Sequence, residues 1–195
     1  MIAGHFGFAA AVKARERQVP LWALMLATAW LDVVFVPLFV AGVESIDTAP
    51  GTSGGYGAAI IHADYTHSLI GALALAGLFG VVAARSWGRR TGLVLAAVVF
   101  SHWVLDLIVH RADLPILPAN LGGLPRLGFG LWQIPAVSAA VELLLVVIGS
   151  LLYRRAALEA AGGAGRGSVR AQLVSALTLL AGVIVLALDA FGILG

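Results

Sequence analysis

The chain has 195 residues, of which 61% are apolar and 11% charged, with a mean hydropathy of +0.99. A soluble domain averages about 45–50% apolar and about 25% charged, and disorder needs low hydrophobicity with high net charge, so composition excludes both. The lack of cysteine excludes a disulfide scaffold, a thiolate zinc site and an iron–sulfur centre, and a net charge of only +2 gives no ground for a nucleic-acid partner.

In chain order, residues 2–12 form an apolar run too short to span a bilayer, followed by Lys13, Arg15 and Arg17. Eleven helical residues reach about 16 Å, roughly half the hydrocarbon core. Two readings stand level: a half-helix that brings His5 to mid-membrane, or an amphipathic segment lying flat at the interface. A crossing helix needs roughly 20 apolar residues, and five stretches qualify: 21–42, 68–84, 91–109, 135–153 and 171–194. Between the first two lies a long loop, 43–66, and between the third and fourth another, 110–134, both rich in Gly and Pro. The segment 161–168, AGGAGRGS, is a flexible linker. The expected fold class is therefore all-α, a polytopic membrane bundle of five transmembrane helices plus the short N-terminal helix. It divides into an embedded core (1–160), a linker (161–170) and an accessory helix (171–195).

Ten of the twelve Lys and Arg fall on one side of this arrangement: Lys13, Arg15, Arg17, Arg85, Arg89, Arg90, Arg154, Arg155, Arg166 and Arg170. The positive-inside rule places that side, and the N-terminus, in the cytoplasm, with the C-terminus outside. Ala72, Ala76 and Gly80, and likewise Ala136 and Ala140, are small residues at helical spacing that mark close helix packing.

Ionisable side chains inside a span are expensive and usually functional. Here they are Asp32, His67, His102, Asp106, Glu142 and Asp189, all in the outer half or the middle of the predicted membrane, with His62, Asp64 and His110 at outer helix ends. His102, Asp106 and His110 are spaced i, i+4, i+8, on one helical face that drifts about 40° per step. His102 and Asp106 thus reach one metal or adjacent metals, while His110, roughly 12 Å along the axis from His102, reads with Arg111 as an interfacial anchor or as part of a larger site. No span contains Lys or Arg, so the buried carboxylates need protons, protonated histidine or a metal. For Glu142 and Asp189 three roles stay open: pairing with Arg126, pairing with backbone groups, or proton relay. Imidazole with carboxylate suits zinc, manganese or iron.

The segment His62-Ala-Asp-Tyr-Thr-His-Ser68, followed by Ser101-His-Trp-Val-Leu-Asp106 and the Pro-rich stretch from Asp113 to Pro118, resembles a bacterial family of inner-membrane metal-dependent hydrolases, the LexA-binding, inner membrane-associated group. Gly4-His5 matches that family's N-terminal Gly-His, and Leu31-Asp32 matches part of its first-helix acidic motif. Ala63 and Asp64 stand where the family has Arg and Gly, and Val109 where it has Thr. The likeness covers roughly residues 1–120 and implies a metal-dependent hydrolase. The expected metal ligands are His5, Asp32, His62, His67, His102 and Asp106, with Asp64 or Asp32 as proton acceptor, zinc as the leading divalent ion, and a membrane lipid or phosphoester as substrate. A homo-oligomer is compatible with this reading. Competing readings are a proton- or cation-coupled permease, a structural subunit of a membrane complex, and a haem held between His67 and His102.

Overall fold

The computed structural model describes residues 1–51, 56–162 and 165–190. The middle of the predicted linker (163–164), part of the first outer loop (52–55) and the end of the last predicted span (191–194) lie outside the described residues. The chain is mostly helical, at 73%. In order it forms α1 (Ile2–Arg15), α2 (Leu21–Thr28), α3 (Trp30–Val40), β1 (Ser45–Thr48), β2 (Ala59–His62), α4 (Leu69–Val109), α5 (Pro135–Ala160) and α6 (Arg166–Ala190). Three of these, α4, α5 and α6, are long and apolar enough to cross a membrane, and α2 with α3 makes a fourth if the bent pair counts as one span.

Two predicted spans are joined in α4. Its 41 residues break at Gly88, whose φ of 83° and ψ of 161° are accessible essentially to glycine alone. The chain reverses there. A Cβ on Gly80 would lie 2.7 Å from Ala96 Cβ and one on Gly92 2.4 Å from the Gly80 carbonyl, so the two arms run back along each other in backbone contact. The indole of Trp103 ties them again further on, donating to the His67 carbonyl at 2.8 Å. Ala72, Ala76 and Gly80 are buried on this seam, as small residues in a tight helix pair should be. Ala136 and Ala140 are instead exposed.

The predicted span 21–42 bends by 48° between α2 and α3. The break contains no Gly or Pro. Its cause is tertiary: the Thr28 hydroxyl donates to the His5 carbonyl at 3.1 Å and the Thr28 carbonyl accepts from His102 at 2.6 Å, which takes that carbonyl out of the helical ladder.

Helix α1 is packed inside the bundle against α2, α5 and α6 and does not lie flat on its surface. Ala3, Gly4, His5, Gly7, Ala9 and Ala10 are all buried. At its far end Lys13 donates to the Arg17 and Val19 carbonyls, Arg17 pairs with Glu159, Arg90 with Glu16, and Trp22 meets Trp87 edge-to-face. Basic residues from the α1–α2 turn, the α4 reversal and the end of α5 therefore gather at one end of the molecule. Above this end lies a core that includes Ala9, Leu24, Ala27, Leu31, Leu95 and Val99, all fully buried.

Candidate metal centre

Four of the five histidines meet at the opposite end of the bundle. α1 brings His5, the α2–α3 break brings Asp32 in the first turn of α3, the start of α4 brings His67, and its returning arm brings His102, Asp106 and His110. Serine 68 fixes the start of α4 by accepting the Gly71 amide at 3.0 Å, and the Pro-rich stretch completes that cap, its Pro115 and Ile116 carbonyls accepting the Leu69 and Ile70 amides. His67 is thus anchored immediately before a well-capped helix.

The inward-facing atoms are closely spaced. His67 Nε2 lies 3.3 Å from His102 Nε2, 3.5 Å from Asp32 Oδ1 and 3.7 Å from Asp106 Oδ2. His102 Nε2 lies 3.6 Å from Asp32 Oδ1 and 3.0 Å from Asp106 Oδ2. His5 Nε2 reaches Asp106 Oδ1 at 3.1 Å, and its ring stacks on His102 at 3.8 Å between centroids. His110 Nε2 stands 3.8 Å from Asp106 Oδ2. His5, His67, His102, Asp106 and His110 are all buried; Asp32 is the one half-exposed member, with 45% of its side chain accessible.

The outer nitrogens decide the tautomers. His102 Nδ1 donates to the Thr28 carbonyl. His67 Nδ1 donates to Thr66 Oγ1 at 2.9 Å, because that hydroxyl spends its own hydrogen on Glu44 at 3.0 Å. Glu44, itself buried, also accepts the Tyr65 and Thr66 amides at 2.9 Å. His110 Nδ1 donates to Asp113 at 2.9 Å. Each of these three rings then turns an Nε2 lone pair inward, as partner-fixed metal-binding histidines do. Two imidazole lone pairs 3.3 Å apart beside two carboxylates form a centre with acceptors and too few protons, and a cation is what resolves such a set.

The spacing fits one. Ligands on a tetrahedral zinc with bonds of about 2.0–2.1 Å stand about 3.3–3.4 Å apart. Five of the six edges among His67, His102, Asp32 and Asp106 lie between 3.0 and 3.7 Å. His5, His102 and Asp106 form a second compact donor group. The same spacing is wrong for haem, whose axial nitrogens stand on opposite sides of the iron, about 4 Å apart. The protein thus holds a buried His/Asp cluster suited to a metal ion.

The remaining sequence candidates go elsewhere. His62 pairs with Asp47 on the exposed β-hairpin at 3.1 Å. Asp64 is held bidentately by Arg126 at 2.7 and 2.9 Å, and that carboxylate keeps the guanidinium above its usual pKa. Glu142 meets neither an arginine nor the centre: it accepts the Gly4 amide at 3.1 Å and the Tyr56 hydroxyl at 3.0 Å, so it caps α1. Burial pushes the Tyr56 phenol well above its usual pKa, which preserves it as a donor.

A cavity of about 350 Å³ opens on the centre. His5, Asp32, His67, His102, Asp106 and His110 lie on its polar wall together with Asp47 and Asp189, and Phe35, Ile46, Ile61 and Trp132 on its apolar one, with the β-hairpin over it. Glu44→Ala orphans the Thr66 hydroxyl and frees the His67 ring, and is expected to weaken metal binding by about 10–100-fold. Chelator competition measures this, with helicity by circular dichroism as the folding control.

Comparison with protein-family models, with curated proteins and with solved structures yields no match to the chain.

Proposed function

We propose that this protein is a membrane-embedded, metal-dependent hydrolase of a bacterial inner membrane, acting on a lipid or phosphoester. It would cross the bilayer five times, counting the bent α2–α3 pair as one span and the arms of α4 as two, with α1 as a half-helix and the basic end in the cytoplasm. The observation that carries the reading is the 3.0–3.7 Å spacing of His67, His102 and Asp106, with Asp32 beside both histidines, at the wall of a cavity. His67, His102 and Asp106 hold the ion, with zinc favoured by that spacing, and His5 orients Asp106 from behind. A divalent ion supplies an acidified water and polarises the scissile ester. Asp32, the half-exposed corner facing the cavity, accepts the proton of the attacking water and returns it to the leaving group.

A permease needs a polar path through the molecule. Below the centre the described residues pack Leu24, Leu31, Leu95 and Val99 with no exposed surface, which favours a dead-end site over a conduit.

The test is turnover of chromogenic lipid esters and phosphoesters by protein in nanodiscs with one equivalent of zinc. Asp32→Asn is expected to keep its zinc and lose about 10²–10⁴-fold in rate, the usual contribution of a positioned base. A zinc-loaded wild type that cleaves no member of a broad ester panel would sink the hydrolase reading.

A further inference from the structure

We infer that the substrate of this site is an acyl compound, a carboxylic ester or amide on an apolar chain, and not a phosphate ester. The inference rests on the hydrolase reading and narrows it. It comes from the charges on the cavity wall. Apart from the histidines, the ionisable side chains lining the cavity are all acidic, Asp32, Asp47, Asp106 and Asp189, and the one further cation on its wall is the Met1 α-amino group, which acts on Asp189. No Lys or Arg is among the lining residues, and none of the undescribed residues is charged. Of the two arginines near this end, neither lines the cavity: Arg111 donates to the carbonyl of the lining residue Gly57 at 3.0 Å, and Arg126 pairs with Asp64. The other ten basic residues belong to the segments bordering the opposite end of the spans.

Sites that cleave phosphate esters place arginine, lysine or several metal ions on the non-bridging oxygens. Here one divalent ion balances Asp32 and Asp106 and leaves nothing over. A phosphate would arrive with one or two further negative charges and shed its water in a small cavity whose wall offers it no arginine or lysine. An uncharged acyl group meets none of these costs, and its chain matches Phe35, Ile46, Ile61 and Trp132. The volume of about 350 Å³ is in the range of small-molecule sites. In the reaction, water adds to the acyl carbon and the bond from that carbon to the alcohol oxygen or amine nitrogen breaks. Asp32 passes the water's proton to the departing atom, and the products are a carboxylic acid and an alcohol or amine.

Three substrates with the same twelve-carbon chain test this in zinc-loaded nanodiscs: p-nitrophenyl dodecanoate, dodecanoyl p-nitroanilide and dodecyl p-nitrophenyl phosphate. Each rate is expressed as acceleration over the same compound in zinc buffer. At least 100-fold greater acceleration for one of the acyl compounds is the expected result; equal or greater acceleration for the phosphodiester overturns the inference and leaves the hydrolase reading intact. If none turns over, the hydrolase reading fails, and binding decides the inference. Laurohydroxamic acid is expected to bind at least tenfold tighter than dodecylphosphonate, and equal or reversed affinity overturns it. Thr48→Arg, which puts a cation on the cavity wall outside the metal centre, is expected to raise phosphonate affinity at least fivefold with the hydroxamate unchanged. No gain for the phosphonate removes the electrostatic basis of the inference.

Discussion

His102→Ala is expected to reduce bound zinc from about one equivalent to a trace when the protein is purified without chelator and assayed by elemental analysis. His102 is the member shared by both compact donor groups, the one with His5 and Asp106 and the one with Asp32 and His67. Its loss removes a ligand from each. Substituting a residue that merely orients a ligand costs about 10–100-fold in affinity, so removing a shared ligand should cost more than 10³-fold, past the reach of trace zinc. The substitution also frees the Thr28 carbonyl, buried at the helix break, and an orphaned buried acceptor costs about 1–3 kcal/mol. Asp106→Asn separates these effects. It keeps the shape and removes one anionic donor, so zinc should fall with little change in melting temperature. His62→Ala and Asp64→Asn, which touch the β-hairpin and Arg126 and not the centre, are expected to retain full zinc. Zinc retained by His102→Ala at wild-type stoichiometry would move the ion away from the lone-pair cluster.

The part of the centre that the sequence disclosed is the part encoded locally. His102 and Asp106 are one helical turn apart, and any helix through them puts both on one face. Apolar runs of the right length marked the segments that became α4, α5 and α6. His110 reads as an interfacial anchor because helical spacing carries no information past the end of the helix. Its partner Asp113 lies three residues on, in the loop, and only the turn after Val109 brings them together. Glu44 is further from reach: it is 22 residues from Thr66, and nothing local says that it threads beneath Tyr65 and Thr66 to fix the His67 ring. The bend at Ala29 carries no Gly or Pro signature because it is made by His5 and His102, which arrive from other helices. Glu142, too, meets its partner, the Gly4 amide, across 138 residues of chain. Long-range hydrogen bonds of this kind have no period in the sequence. They appear there only as the expense of placing polar groups in lipid.

Gly7→Val is expected to destabilise the protein strongly and to lose His5 from the centre. A Cβ on Gly7 would stand 2.5 Å from the Leu145 carbonyl oxygen and 2.7 Å from the Val146 nitrogen, and one on Gly149 would stand against the Gly7 carbonyl. These are backbone atoms of a 26-residue helix, which no rotamer change can move aside. α1 must therefore retreat from α5. Overpacking a side chain into a well-packed interior typically costs about 1–3 kcal/mol and occasionally more, and a collision with backbone belongs at the upper end. The retreat also reaches the metal centre. His5 lies two residues before Gly7, and a shift of about 1 Å breaks a 3.1 Å contact between His5 and Asp106. The Gly4 amide would leave Glu142 as well, so that this fully buried carboxylate loses that donor and keeps the Tyr56 hydroxyl. Gly77→Ala is the matched control: its Cβ meets nothing within 4 Å, so stability should hold or rise. Thermal unfolding in nanodiscs and zinc affinity, measured on both variants, distinguish the two arrangements that the sequence of α1 allows. A helix flat on the interface would accept valine at position 7 without loss of either. A helix packed against α5 and carrying His5 to Asp106 requires both to fall together.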